Sequence, residues 1–272
     1  MYSLNNHLNF QLKLWLIALL VMIIFIILVG GLTRLTDSGL SITTWELFIG
    51  FFPPMTNEKW IDYFNLYKSI PEYKEQNYYM SLNDFKVIFW WEWVHRQVGR
   101  LIGLTVLFPL IYFTLKNGSW IIKKYGIIFL LVCFQGFIGW YMVSSGLVDR
   151  LDVSHYRLSI HLVTAFIILS IVFWKFLQLI DLKVHETSFN LNSIKFFLLL
   201  IFIQLILGAF VSGMDAGTIY NTWPLMGSSF FPDDSELSEL LNINVFNDPS
   251  LVQFIHRNMA YLIGLFYLLI FY

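Results

Sequence analysis

The chain of 272 residues is 57% hydrophobic and only 13% charged, and its mean hydropathy is +0.66. A soluble globule of this length needs more polar surface, so the composition excludes that class and predicts a protein that lies in a lipid bilayer. The formal net charge is -1. Because no basic excess is present, we expect no nucleic-acid partner.

The single cysteine, Cys133, excludes an intrachain disulfide, a cysteine-rich metal site and an iron–sulfur cluster built by one chain. It lies inside an apolar run, where we expect a small buried core residue. The first apolar run, residues 14–32, is too long for a signal-peptide core and has no clear cleavage pattern. We expect it to be retained as the first helix.

Six apolar stretches are each long enough to cross the hydrocarbon layer once. The predicted helices are Lys13–Leu32, Trp90–Leu115, Tyr125–Val143, Leu158–Leu179, Ile194–Val211 and Leu251–Tyr272. The fold class is therefore an all-α polytopic membrane protein. Residues 33–89 form a long loop with three prolines, which we expect to be a structured cap on the outer face.

The charges of the connections predict the orientation. Residues 116–124 and 175–195 carry three lysines each, whereas residues 214–250 carry six acidic residues and no Lys or Arg. By the positive-inside rule the lysine-bearing connections are cytoplasmic and the acidic one is on the opposite side. This predicts a cytoplasmic N-terminus.

An internal repeat divides the chain into two copies. One block of the first copy contains Gly30-Gly31, Asp37, Gly39, Thr44-Trp45 and Phe52-Pro53, and it recurs as Gly208-Ala209, Asp215, Gly217, Thr222-Trp223 and Phe231-Pro232. A second block, His95-Arg96 with Ile102-Gly103, recurs as His256-Arg257 with Ile263-Gly264 at a constant offset of 161 residues. With four helices to a copy, this predicts a parallel repeat of a complete half, 1–185, and an incomplete half, 186–272.

Ionisable groups inside membrane helices require a partner or a function. In the predicted topology His95, His161 and His256 lie in the first turns of helices that run in the same direction, so the three imidazoles share one depth near the outer face. Imidazoles that project from facing helices can supply both axial ligands of a haem iron, and His95 with His161 would form one such pair. The alternative is that each histidine hydrogen-bonds to a neighbouring helix, and the repetition disfavours it for His95 and His256.

Glu92 precedes His95 by three residues, so the two side chains share one helical face. This makes Glu92 the best catalytic candidate. The equivalent residue of the second copy is Gln253, which cannot ionise, and the two halves should therefore differ in chemistry. The alternative for Glu92 is a salt bridge to Arg96 or Arg100.

Three arginines lie one to two turns inside the predicted outer boundary, namely Arg96, Arg100 and Arg257. Their guanidinium groups can pair with haem propionates. Extension of each side chain to the membrane interface is an equal alternative.

Several stretches together resemble the haem A synthase family over nearly the whole chain. They are Gly30-Gly31-Leu32-Thr33-Arg34-Leu35-Thr36-Asp37-Ser38-Gly39-Leu40-Ser41, Glu92-Trp93-Val94-His95-Arg96, Tyr156-Arg157-Leu158-Ser159-Ile160-His161-Leu162, Asn221-Thr222-Trp223-Pro224-Leu225-Met226 and Gln253-Phe254-Ile255-His256-Arg257. The resemblance implies eight helices in two four-helix halves, located in the cell inner membrane. It also implies oxidation of the C8 methyl of haem O to a formyl group by successive hydroxylations, with water as the oxygen source.

The same resemblance implies the site residues. Glu92 would be the essential carboxylate, His95 and His161 would bind the iron of the substrate haem, and His256 would be one ligand of a cofactor haem b. The family's fourth histidine lies on the eighth helix, and we expect the chain to lack it together with two helices. Implied partners are haem O, haem O synthase, an electron carrier, the lipid bilayer and a second copy in a homo-oligomer.

Two other classes of function remain open at this point. A b-type electron-transfer cytochrome would use the same histidines, with Glu92 merely anchoring an arginine. A transporter would use the duplicated helical halves without haem. A reduced-minus-oxidised spectrum separates the three.

Overall fold

A computed structural model describes residues 6–47, 49–149, 151–180 and 190–271. The described residues contain no strand and eight α-helices, which confirms the all-helical class. The helices are α1 (Asn6–Leu35), α2 (Asn57–Tyr67), α3 (Pro71–Glu75), α4 (Leu82–Asn117), α5 (Trp120–Asp149), α6 (His155–Leu177), α7 (Leu191–Gly213) and α8 (Pro249–Phe271). Short 3-10 turns cover Ile49–Phe51, Ala216–Thr218, Leu237–Leu241 and Val245–Asn247.

Five described helices, α1, α4, α5, α6 and α7, are long and apolar enough to cross a membrane. The sixth predicted span is present as α8, a helix of 23 residues. Its first half carries Gln253, His256, Arg257 and Asn258, and these polar residues lower its mean hydropathy. That α8 crosses the bilayer therefore stays a prediction.

The chain divides into two compact units. Unit 1 comprises Met1–Val153 and Thr164–Lys183, and unit 2 comprises Ser154–Val163 and Val184–Tyr272. The boundary predicted between residues 185 and 186 lies outside the described residues and stays a prediction.

Unit 1 has a core built by α1, α4 and α5 with the later part of α6. Leu12, Leu16 and Leu19 of α1 recur every three to four residues and are fully buried, as a packed helix face requires. Trp15 reinforces the contact because its indole Nε1 donates to the Thr105 carbonyl of α4 at 2.8 Å.

Cys133 of α5 is exposed, so the expectation of a buried core residue was wrong. A helix that is apolar on all sides gives no sequence signal that separates a packed face from a lipid-facing one.

The long loop of unit 1 is shorter than predicted and runs over residues 36–81, which we call the first loop. Helix α4 begins eight residues before the predicted Trp90 because Ser81 and Asp84 form a capping box at its start. The loop contains α2 and α3, and Trp60 and Phe64 pack on Phe85 and Phe89 of the early turns of α4. The predicted cap is thus a small aromatic cluster packed on the first turns of α4.

A carboxyl group is buried inside this cap. Glu72 is only 4% exposed, and its Oε1 accepts a hydrogen bond from the Tyr67 hydroxyl at 2.8 Å. Burial raises the pKa of Glu72 to about 8, against the opposing effect of the Tyr67 hydroxyl. In the folded protein the Glu72 carboxyl group is therefore mainly protonated, and so uncharged, near neutral pH.

Candidate functional site

Glu92 lies on α4 and is 3% exposed. Its Oε2 accepts hydrogen bonds from the Ser41 hydroxyl and the Ile42 backbone amide, both at 2.7 Å. Its Oε1 accepts from Nε and Nη2 of Arg96 at 3.0 and 2.6 Å. Four donors, two of them from a guanidinium, satisfy this carboxylate as an anion. The salt bridge foreseen as the alternative for Glu92 is therefore present.

Arg96 also holds the first loop. Its Nη2 donates to the Ile42 carbonyl at 2.7 Å and its Nη1 to the Thr44 carbonyl at 3.1 Å. Together Glu92 and Arg96 bind both the amide and the carbonyl of Ile42. This arrangement, which we call the loop clamp, ties the start of the first loop to α4 one turn from His95.

Unit 2 contains a second loop clamp at the equivalent positions. Oε1 of Gln253 accepts from the Tyr220 amide at 3.3 Å, and its Nε2 donates to the Tyr220 carbonyl at 3.0 Å. Arg257 donates to the carbonyls of Tyr220 and, at 2.8 Å, Thr222. The repeat seen in the sequence is therefore a repeat of hydrogen bonds in the structure.

The two clamps differ in the hydrogen bonds of Glu92 and Gln253. Ser41 gives Glu92 a hydroxyl donor, whereas the equivalent position of unit 2 is Ile219, which has no polar side chain. Gln253 instead donates its own amide to the Tyr220 carbonyl. An amide at 253 and a carboxylate at 92 thus each match their surroundings.

The rings of His95 and His256 each pack on a glycine of the preceding long helix, Gly30 and Gly208, and we call these two glycines the histidine seats. A Cβ placed on Gly30 of α1 would lie 2.8 Å from His95 Cε1, and one on Gly208 of α7 would lie 3.3 Å from His256 Cε1. Any larger residue would push the ring away. Both glycines belong to the sequence repeat, but the repeat alone does not indicate this contact with the histidines.

One ring nitrogen of His256 has a hydrogen-bond contact and the other has none among the described residues. Its Nδ1 is buried and has no hydrogen-bond partner among the described residues, while Gln204 Nε2 lies 3.4 Å from its Nε2. Within the described ranges no group of three or more His, Cys, Asp or Glu side chains can hold a metal ion.

The remaining predicted residues are placed as follows. His161 lies on α6, six residues after its start. Arg100 donates to the carbonyls of Leu47 and Glu46 at 3.1 and 2.7 Å, and its Nη1 is buried with no partner among the described residues. The arginines predicted for propionates thus bind loop carbonyls in both units, and their propionate role stays a prediction.

Comparison with known proteins identifies the class to which this fold and these two clamps belong. Residues 13–272 match the family described as cytochrome oxidase assembly protein. No solved structure matches the chain significantly.

Curated relatives narrow the class further. Proteins named heme A synthase match from Pelagibacter ubique (53% identity; 98% of this chain, 79% of the relative) and Parvibaculum lavamentivorans (46%; 95% and 75%). A third, from Flavobacterium johnsoniae, is 41% identical and covers 97% of this chain and 80% of the relative. The chain belongs to the haem A synthase family.

Proposed function

We propose that the chain oxidises the C8 methyl group of haem O to a formyl group, as an enzyme of haem A biosynthesis for cytochrome oxidase. The observation that carries the proposal is the asymmetry of the two loop clamps. A buried carboxylate lies three residues before the histidine in unit 1, whereas a neutral amide takes its place in unit 2. The half with the carboxylate would oxidise the substrate, and the half with the amide would transfer electrons.

The reaction balances with water as the oxygen source. Each hydroxylation adds one water oxygen to the methyl carbon and releases two electrons and two protons. Two rounds give a geminal diol, which loses water to form the aldehyde. The electrons require an acceptor, and a haem b held by His256 would pass them to it.

The histidines divide between the two haems in this proposal. His95 and His161 would ligate the substrate haem, and His256 would ligate haem b. The contacts of Gly30 with His95 and of Gly208 with His256 support separate roles for these two imidazoles, since each packs on a different helix. Arg96, Arg100 and Arg257 would be the partners of the haem propionates. Nη1 of Arg100 is buried and has no partner among the described residues.

The contacts of Glu92 favour an electrostatic role. Each of its oxygens already accepts two hydrogen bonds, so it could accept a proton from water only after a donor leaves. A carboxylate fixed in this way can stabilise positive charge that develops at the methyl carbon without rearrangement, although the Arg96 guanidinium offsets part of its charge. We therefore place Glu92 as the group that stabilises this charge.

The proposal includes the location of the enzyme in the cell and its partners there. The enzyme would lie in the inner membrane with its N-terminus in the cytoplasm and its haem sites toward the outer face. Haem O synthase would supply the substrate, an electron carrier would receive the electrons, and a homo-oligomer is the expected assembly.

The substitution Glu92→Gln tests the catalytic role. The amide keeps the size of the side chain and one acceptor for the Ile42 amide but removes the charge, so haem A formation should fall by about 10²-fold or more. Bound haem should remain in the reduced-minus-oxidised spectrum, while chromatography of extracted haems reports haem A. Glu58→Gln, an exposed position on α2, is the control and should leave both unchanged.

Continued haem A formation in Glu92→Gln would contradict the catalytic role. Haem b without haem A in the unaltered protein would favour an electron-transfer cytochrome, in which the Glu92–Arg96 salt bridge only anchors the loop. The absence of any haem signal would favour a transporter.

A further inference from the structure

Part of the first loop is apolar, free of charge and exposed. Residues 47–55, all described except residue 48, contain no Asp, Glu, Lys or Arg, and we call them the apolar segment. Ile49, Phe52 and Met55 are 75%, 77% and 80% exposed. So many large apolar side chains rarely face water on one short stretch, and such patches mark a surface that binds something.

The apolar segment is fastened to α4. Nε2 of Gln97 donates to the Gly50 carbonyl at 2.7 Å, and Arg100 donates to the Leu47 carbonyl at 3.1 Å. A Cβ on Gly50 would lie 2.8 Å from Arg100 Nη2, so the backbone passes directly over the guanidinium. The segment therefore stays at the level of residues 97–100 of α4.

The face of α4 beneath the apolar segment is an exposed apolar stripe. At 100° per residue, Gln97 shares this face with Leu101, Leu104, Phe108, Ile111 and Leu115. All five apolar residues are exposed. Gln97 is about 200° around the helix from His95, so the stripe is on the side opposite the candidate haem ligand. A charge-free stripe of this kind on a membrane helix is its lipid-facing surface.

The position of the apolar segment along α4 also fits a membrane boundary. Gln97 is twenty residues from Asn117, the last residue of α4, which corresponds to about 30 Å at 1.5 Å per residue. This is about the thickness of the hydrocarbon layer. Lys116 lies at the far end of that length, and no charged residue lies between it and Arg100. The apolar segment is thus held where the hydrocarbon ends.

We propose that the apolar segment lies in the interfacial layer of the bilayer, with lipid as its occupant. It continues the lipid-facing stripe of α4 at the membrane surface. Gln97 and Arg100 hold its backbone while the side chains of Ile49, Phe52 and Met55 enter the lipid. Aromatic and large aliphatic side chains favour this layer, where their apolar surface leaves water. The first loop is thereby a membrane-attached element as well as a cap.

Site-specific fluorescence tests the proposal in the full chain. In a Cys133→Ala background, Phe52→Cys carries an environment-sensitive fluorophore, and the protein is reconstituted in phosphatidylcholine vesicles. Tyr79→Cys is the matched control, since Tyr79 is an aromatic residue of the same loop with 76% exposure. It precedes α4, whose start at Leu82 is fifteen residues, or about 22 Å, beyond Gln97.

The label at position 52 should emit at shorter wavelength, lose emission when brominated lipid replaces ordinary lipid, and resist aqueous iodide. The label at position 79 should show the reverse. Equal iodide quenching at both positions would overturn the proposal. So would protection of position 52 from both quenchers, because protein rather than lipid would then cover it. Met55→Cys supplies the same measurement if the Phe52 variant does not assemble.

Discussion

At the scale of single residues, the site depends on side chains that bind backbone. Helical spacing placed Glu92 and His95 on one face of α4, and it also foresaw the contact of Glu92 with Arg96. It could not show that this pair binds the amide and carbonyl of Ile42, fifty residues away in sequence. Contacts of this kind depend on the path of a loop, which has no periodicity to read.

The histidine seats give a test at this scale. Gly30→Ala would place a methyl group 2.8 Å from His95 Cε1, so the ring must shift and its iron ligation should change. We expect lost haem or an altered Soret band in the purified protein. Gly31→Ala is the neighbouring control, because nothing lies within 4 Å of its Cβ. If the two variants have the same haem content and spectrum, the seat has no role in holding His95.

At the scale of elements, the sequence predicted that the first loop is a structured cap, but it did not predict the helices α2 and α3. The length and prolines of the loop predicted ordered structure. The helices α2 and α3 are short, and they are stabilised by aromatic packing of Trp60 and Phe64 on α4 rather than by a long apolar period. Segments shorter than about 12 residues form helices mainly through such tertiary contacts. The local sequence therefore gives little indication of α2 and α3.

Glu72 makes the stability of this cap depend on pH. Its pKa is 4.5 in the unfolded reference and about 8 when buried, so the folded state binds more protons between these values. Stability should therefore fall as pH rises through this window and level off above it. Hydrogen exchange of residues 57–75, corrected for intrinsic rates, measures the effect.

Glu72→Gln should remove most of this pH dependence, since the amide still accepts from Tyr67 and carries no charge at any pH. Glu75→Gln, an exposed position on the same short helix, should retain it. Equal pH profiles for the unaltered chain and Glu72→Gln would refute a buried, neutral Glu72.

At the scale of the whole molecule, the two units contain equivalent loop clamps, with a carboxylate in unit 1 where unit 2 has an amide. The constant offset revealed the duplication and paired Glu92 with Gln253. The structure adds what each of the two groups binds. Glu92 accepts from the Ser41 hydroxyl, whereas Gln253 donates to the Tyr220 carbonyl, which also accepts from Arg257. A carboxylate at 253 would face that carbonyl without a proton to donate.

Exchanging the two groups tests whether the halves are equivalent. The double substitution Glu92→Gln with Gln253→Glu should form no haem A, because the charge would lie in the wrong unit. Gln253→Glu alone should weaken the second clamp by about 0.5–1.5 kcal/mol, the net contribution of one hydrogen bond, since the Tyr220 carbonyl keeps its donor Arg257. Some haem A should still be made. Haem extraction and thermal unfolding measure the two effects. Activity in the double variant would show that either unit can act.

The sequence by itself determined the membrane class, the helices, the duplication and the family, because composition, apolar run length and repeated motifs are properties of the linear chain. Only the tertiary structure decided what Glu92, Arg96 and Arg100 bind, which glycines seat the histidines and where the exposed Cys133 lies. Each of these depends on the approach of segments distant in sequence. In a chain with apolar residues on every side of its helices, the pattern alone does not specify that approach.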